Sequence, residues 1–228
     1  MRVGQVGCRF GYTPQGETAH NVTFSVACDS IQVADLQGVY DASGNGSIDA
    51  NANIYNVPLE KISPFIPNQI AQLKGSLTGR IKVSGPTDKM RLDGAFAPRD
   101  VHVLSHQYSV DLALATDSIM LDNSRLTFNQ YRIYGYDDNP LSLNGYVDFA
   151  NVDNINMSLN LVGNNFKLVE SKRAPKKVLF GNMYGNVNTR VSGSISNLSV
   201  KGRVKVMKSS NMTYIMSETP ISQGDRLD

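Results

Sequence analysis

The side chains able to carry out chemistry are few and scattered along the 228 residues. Three histidines, His20, His102 and His106, are too few for a metal-dependent centre. The gap between His102 and His106 falls on a strand-and-turn stretch, not on a helix, where four-residue spacing would align two ligands. They read as solvated or packed side chains. Cys8 and Cys28 form no Cys-x-x-Cys pair and have no histidine at zinc-finger spacing, which leaves one disulfide or two free thiols. Asp41-Ala42-Ser43-Gly44-Asn45-Gly46 opens like a calcium-binding loop, but Ala52 stands where the bidentate Glu belongs, so a plain turn is expected. Asp137 and Asp138 are neighbours in a turn, a poor arrangement for the paired carboxylates of a glycosidase. There is no Gly-x-Ser-x-Gly elbow and no Gly-Lys-Ser/Thr phosphate loop. The expectation is a protein with no catalytic residue, no metal and no cofactor.

Charge excludes a further class. The formal net charge is +2 and the basic residues are spread out, so no electrostatic footprint for nucleic acid is visible. Lys172-Arg173-Ala174-Pro175-Lys176-Lys177 reads as a solvated loop, with anionic head groups as the alternative contact. Lys201, Arg203 and Lys205 give one strand a basic face, which on an edge strand discourages unwanted pairing.

The elements that would position any site are strands. Apolar residues are 41% and charged residues 18% of the chain, with 19 glycines, a composition of strands and turns. Period-two alternation recurs. Leu141, Leu143, Val147 and Phe149 oppose Ser142, Asn144, Tyr146 and Asp148; Ile155, Met157, Leu159 and Leu161 oppose Asn156, Ser158 and Asn160; Leu198, Val200, Val204 and Val206 oppose Ser199, Lys201, Arg203 and Lys205. Further strands are expected around Val22–Val26, Ile48–Ile54, Leu77–Val83, Met90–Phe96, Val110–Leu114, Leu126–Phe128 and Phe166–Leu168. Turn chemistry separates them, as at Gly85-Pro86-Thr87-Asp88, so the topology should be an antiparallel meander. No apolar run approaches the roughly 20 residues of a membrane-spanning helix. The C-terminal Gly224-Asp225-Arg226-Leu227-Asp228 reads as a cut within a longer protein.

One segment departs from this pattern. Between Val57 and Leu73, Leu59, Ile62, Phe65, Ile66, Ile70 and Leu73 fall at helical spacing interrupted by Pro64 and Pro67, which predicts short helical pieces packed on the sheet. The chain also repeats itself. Gly75-Ser76-Leu77-Thr78-Gly79 matches Gly181-Asn182-Met183-Tyr184-Gly185, Val83-Ser84-Gly85 matches Val191-Ser192-Gly193, and Met90, Leu92, Gly94 and Phe96 match Leu198, Val200, Gly202 and Val204. A glycine set within the apolar face of a strand lets the sheet bend or leaves space above its backbone. Its recurrence predicts a sheet curved along its length.

At these residues the sequence resembles the TamB family of AsmA-like envelope proteins. The resemblance runs from Val57-Pro58-Leu59-Glu60-Lys61-Ile62 through the Gly75 to Gly94 motifs, and returns at Asn165-Phe166-Lys167-Leu168, Gly181 to Gly193, and Leu198 to Met207. It implies an elongated antiparallel curved sheet, a β-taco or open groove, with one short helical segment. The segments would be 1–56 as N-terminal strands, 57–74 as the helical segment and 75–228 as repeated groove modules. It further implies a non-enzymatic periplasmic segment of an inner-membrane-anchored protein. Such proteins handle phospholipid and support outer-membrane protein assembly and secretion, with an outer-membrane barrel assembly protein met through a C-terminal part beyond this chain. Lipid-groove candidates are Leu77, Ile81, Leu92, Phe96, Leu112, Leu143, Phe149, Met157, Leu159, Leu198 and Val204. Two alternatives use the same alternation: a β-sandwich whose core faces a second sheet, or a β-helix. Either would bind glycan or protein through loop residues such as Tyr131, Tyr134 and Tyr136.

Overall fold

The computed structural model describes residues 5–61, 72–105, 110–173 and 179–215. The strands are β1 (Val6–Pro14), β2 (Ala19–Cys28), β3 (Ile31–Asp41), β4 (Ser47–Pro58), β5 (Gln72–Pro86), β6 (Arg91–Ser105), β7 (Val110–Leu114), β8 (Ile119–Asp122), β9 (Arg125–Tyr134), β10 (Leu141–Asp148), β11 (Asn156–Ser171), β12 (Leu179–Ser194), β13 (Asn197–Val206) and β14 (Asn211–Tyr214). All belong to one antiparallel sheet ordered β1-β2-β3-β4-β5-β6-β7-β9-β10-β11-β12-β13, with β8 bridging β6 and β9, and β14 on β12. The sandwich alternative is thereby removed: among the described residues there is no second sheet to face the first.

Short hairpins make this meander. At the β3–β4 turn, Ser43 donates its backbone N–H to Asp41 Oδ1 at 2.9 Å, and Gly44 and Gly46 take positive φ, so the calcium-like sequence serves as an Asx turn. Of the segment 57–74, Val57 and Pro58 close β4, Leu59–Lys61 form a single 3-10 turn, and Gln72 to Lys74 open β5. The intervening 62–71, where most of the expected helical stripe falls, lie outside the described residues.

Bulges interrupt the long strands. Asn56 in β4, Gln130 in β9 and Asn165 in β11 adopt φ of 48°, 50° and 52°. Each sits at a register shift against the neighbouring strand. Such bulges add a residue to one strand and sharpen its twist. At two of them a neighbouring asparagine holds the freed amide: Gln130 N–H donates to Asn144 Oδ1 and Asn165 N–H to Asn186 Oδ1, both at 2.8 Å.

The sheet curls. β7 and β11 are separated by β9 and β10, yet bring Cα atoms within 8 Å; three strand spacings on a flat sheet would be about 14 Å. The residues enclosed by the curl are Ala115, Ile119, Tyr131, Ile133, Leu141, Leu143, Phe166 and Val187, with Leu112, Leu114, Phe128, Leu159 and Leu161 packed around them. The core therefore comes from one sheet folding over its own apolar face.

Candidate functional site

Directly opposed residues in an antiparallel ladder point to the same face, so the register identifies each face across the whole sheet. One inner row runs Phe10, Phe24, Leu36, Ala52, Ile81, Gly94, Leu121, Leu126, Val147, Met157, Gly193, Leu198. It crosses twelve strands without a polar side chain. The adjacent outer row runs Arg9, Ser25, Asp35, Asn53, Arg80, Ala95, Met120, Thr127, Tyr146, Ser158, Ser192, Ser199. A second inner row includes Cys8, Val26, Ala34, Ile54, Gly79, Phe96 and Ile119, and on the far side Phe128, Gly145, Leu159, Val191 and Val200. Period-two patterning within each strand becomes a continuous apolar surface because the register keeps the same parity from strand to strand.

Glycine keeps neighbouring strands close within these rows. Gly145 has φ +127°, and a Cβ there would sit 2.0 Å from the Ser158 carbonyl oxygen and 3.0 Å from Leu159 Cα. Gly94 meets the Arg80 carbonyl oxygen in the same way at 2.0 Å. Gly202, the third glycine of the sequence motif, is crowded instead by the Thr189 hydroxyl at 2.4 Å.

Exposure of the inner face changes along the sheet. Its middle is filled by side chains: Phe166 is 0% and Leu143 8% exposed. Toward both ends it opens, with Phe10 at 66%, Val200 at 65% and Val204 at 48%. Ten of the eleven groove candidates share the inner face. Leu77, Ile81, Leu92 and Phe96 are half-buried on β5 and β6, Leu112, Met157 and Leu159 half-buried on β7 and β11, Leu143 buried, and Leu198 and Val204 exposed on β13. Phe149 follows β10 instead of lying in it; its N–H donates to the Ser124 carbonyl at 2.8 Å, and its ring flanks a cleft shared with Met90 and Leu92.

The tyrosines of the surface-module alternative are not all loop residues. Tyr131 and Tyr134 are in β9. Tyr131 is 6% exposed and its hydroxyl donates to the Ala115 carbonyl, with burial pushing the phenol pKa up to about 12. A core residue of this kind is not available to an external ligand. The bulge at Gln130 explains the placement, because it turns Tyr131 onto the inner face alongside Phe128, whose ring it meets edge-on at 5.8 Å.

The outer face is held by polar contacts. Asp35 accepts from Gln32, Asn53 and Tyr55 at 2.8–2.9 Å. Arg125 pairs with Asp148 at 2.7 Å and lies over the Tyr146 ring. The Ala150 N–H, followed by Arg125, holds the Asp148 carboxyl below the usual carboxylate range. A concavity of about 1140 Å³ also lies on the outer face, bordered by Tyr55, Thr78, Arg80, Arg91, Asp93 and Met120. Its Arg91–Asp93 pair at 2.6 Å is satisfied internally.

Among the described residues, no group of three His, Cys, Asp or Glu side chains could hold a metal ion. His20 stacks on Tyr12 at 4.5 Å and His102 contacts Asp111 at 2.7 Å; His106 lies outside the described residues. Cys8 and Cys28 are free. Cys8 opposes Val26 and Cys28 opposes Val6, so the two are diagonal neighbours. Such pairs lie about 7–8 Å apart, at or beyond the reach of a disulfide.

A single-layer antiparallel sheet that is apolar on one side across twelve strands, and curled over that side, is a trough-like β protein. Residues 131–227 match the family model of the TamB C-terminal domain, a match that supports a fragment of a TamB family protein. The match spans β9 to β14; the earlier module around β4–β6 joins it through the same sheet and the same repeat. Gly75 and Gly181, equivalent in that repeat, have φ of +90° and +122°, and Gly85 and Gly193 have +104° and +117°. No curated protein and no solved structure matches the chain.

Proposed function

We propose that this chain is a non-enzymatic periplasmic segment whose inner face handles lipid, serving phospholipid transport to the outer membrane in a parent protein anchored to the inner membrane. Outer-membrane protein assembly and secretion, in concert with an outer-membrane barrel assembly protein, is the related role that the family suggests. The observation that carries the reading is the apolar row from Phe10 to Leu198, continuous across the sheet and exposed toward both ends. Each methylene brought into water costs about 0.8 kcal/mol, so moving a two-chain lipid through an aqueous gap faces a barrier on the order of 20 kcal/mol. A continuous apolar surface lowers that barrier by contact alone, with no bond made or broken.

The test uses exposed inner residues, since a charge at buried Leu143 would perturb the fold along with any ligand. The chain incubated with phospholipid vesicles and examined by native mass spectrometry should carry phospholipid. Phe24→Glu and Val200→Glu should reduce that load at least several-fold with the β-sheet circular dichroism preserved. Equal loading in the parent chain and both variants would defeat the reading.

A further inference from the structure

The far edge of the sheet is chemically unlike the rest of the chain. Residues 179–215, spanning β12 to β14, contain five basic residues and no acidic one, whereas the whole protein carries a formal net charge of only +2. On β13, Lys201, Arg203 and Lys205 alternate with Val200, Val204 and Val206, so cations occupy the outer face and aliphatic side chains the inner face of one strand. All six are exposed. None of the three cations has an ion-pair partner among the described residues, although basic side chains elsewhere, such as Lys82, Arg91, Arg125 and Arg132, do.

Fold stability does not favour this arrangement. Arg190 stands directly opposite Lys201 in the β12–β13 ladder, and like charges so placed repel across strands. β13 is also the last strand in the sheet order, so nothing among the described residues stands between its outer and inner faces at the rim. Lysine and arginine have long apolar stems that let the charged head swing round such a rim.

We propose that the β13 edge recognises the anionic head group of a phospholipid whose acyl chains lie along the inner face of the same strand. The inference rests on the lipid-handling reading and adds a head-group class to it. Charge complementarity selects the occupant. An apolar protein strand would match Val200, Val204 and Val206 and leave the cations unanswered, and an acidic protein segment would do the reverse. An anionic phospholipid carries both chemistries in one molecule, joined at the length scale of a single strand.

The experiment offers the 228-residue chain vesicles containing equal amounts of phosphatidylglycerol and phosphatidylcholine with matched acyl chains, and reads the bound ratio by native mass spectrometry. Phosphatidylglycerol should predominate in the parent chain, and the bias should shrink as NaCl rises from about 0.05 M to about 0.5 M. At about 1 kcal/mol per cation, the triple variant K201S/R203S/K205S should lose a bias of up to roughly 100-fold, and it should still bind phosphatidylcholine. The charge-preserving K201R/K205R should retain the bias. A parent chain that binds both lipids equally, or a bias insensitive to both salt and the triple substitution, overturns the head-group proposal and leaves the groove reading standing. A parent chain that binds neither lipid overturns both. If the triple variant instead self-associates on size exclusion with its lipid ratio unchanged, the cations only guard the edge, and the proposal fails.

Discussion

Gly145 offers the most direct test of how the sheet holds its apolar rows together. Alanine there adds one methyl group, 2.0 Å from the Ser158 carbonyl oxygen and 3.0 Å from Leu159 Cα. Both contacts are backbone atoms of β11, so no side-chain rotation relieves them. The φ of +127° adds strain for any residue with a Cβ. Strain at such a backbone position costs about 1–3 kcal/mol, and an added methyl in a packed setting about 1–3 kcal/mol more. G145A should therefore destabilise by about 2–6 kcal/mol, a large part of the roughly 5–15 kcal/mol available to a folded domain. Gly7 is the internal control: a Cβ there meets nothing within 4 Å, and its φ is not positive. G7A should be neutral or stabilising by up to about 1 kcal/mol through the unfolded chain. Urea unfolding followed by circular dichroism, comparing the two variants with the parent, reads the difference. If G145A and G7A unfold within about 0.5 kcal/mol of each other, the close approach of β10 and β11 at Gly145 is not what the backbone geometry implies.

Other substitutions probe the core and its electrostatics. Phe166→Ala, at a side chain with no exposed surface, should cost about 3–5 kcal/mol, measured by the same unfolding assay. Tyr131→Phe leaves the Ala115 carbonyl without its hydroxyl donor and should cost about 1–2 kcal/mol. The Tyr131 phenol, pushed up to about 12 from an ordinary 10, binds its proton more tightly when folded. The fold should therefore lose stability as pH rises from 10 through 12, a decline that Tyr131→Phe would lessen in alkaline unfolding curves. Asp148 has the opposite sign: its depressed carboxyl stabilises the fold above the unfolded carboxylate pKa, and that contribution vanishes as pH falls through the lower folded value. Asp148→Asn should flatten the acid limb of the stability profile while costing only about 0.5 kcal/mol at neutral pH, because its Arg125 partner is half exposed.

Local patterning made much of the sheet readable. β10, β11 and β13 carry their alternation on the surface of the sequence, and the parity read there is the parity of the inner rows, because side-chain direction along a strand depends on nothing distant. The single curved antiparallel sheet follows from the same signal, reinforced by the repeat. β3 was not legible as a strand: the register shift against β2 leaves Val33 buried outside the regular rows and breaks the alternation between Ile31 and Leu36. Phe166–Leu168 reads as a separate short strand in sequence, yet it is the continuation of β11 past the bulge at Asn165. An asparagine at φ +52° has no distinctive neighbours in the chain, and its role depends on a side chain from β12. The location of the core was hidden for a different reason. Leu143 and Leu198 have the same local pattern, but one is buried and the other exposed, because the curl brings β7 and β11 together and leaves β13 at the rim. Tyr131 shows both effects, a loop-like tyrosine by type and a core residue by bulge and curl.

The constant parity of the rows has a consequence for growth. A globular core must be repacked when its chain is lengthened, since new side chains have to fit among old ones from every direction. In this sheet a new strand meets only the strand at the edge, and it is accommodated wherever an even register brings its aliphatic side chains level with those already there. Equivalent strands of the two repeats, β5 and β12, are six strand steps apart along the sheet, about 29 Å at the usual spacing. Duplicating one repeat would thus extend the apolar surface by a fixed increment with no existing residue needing to change. Reach becomes a property of copy number, so evolution could match the length of such a protein to the distance it must cover by counting repeats.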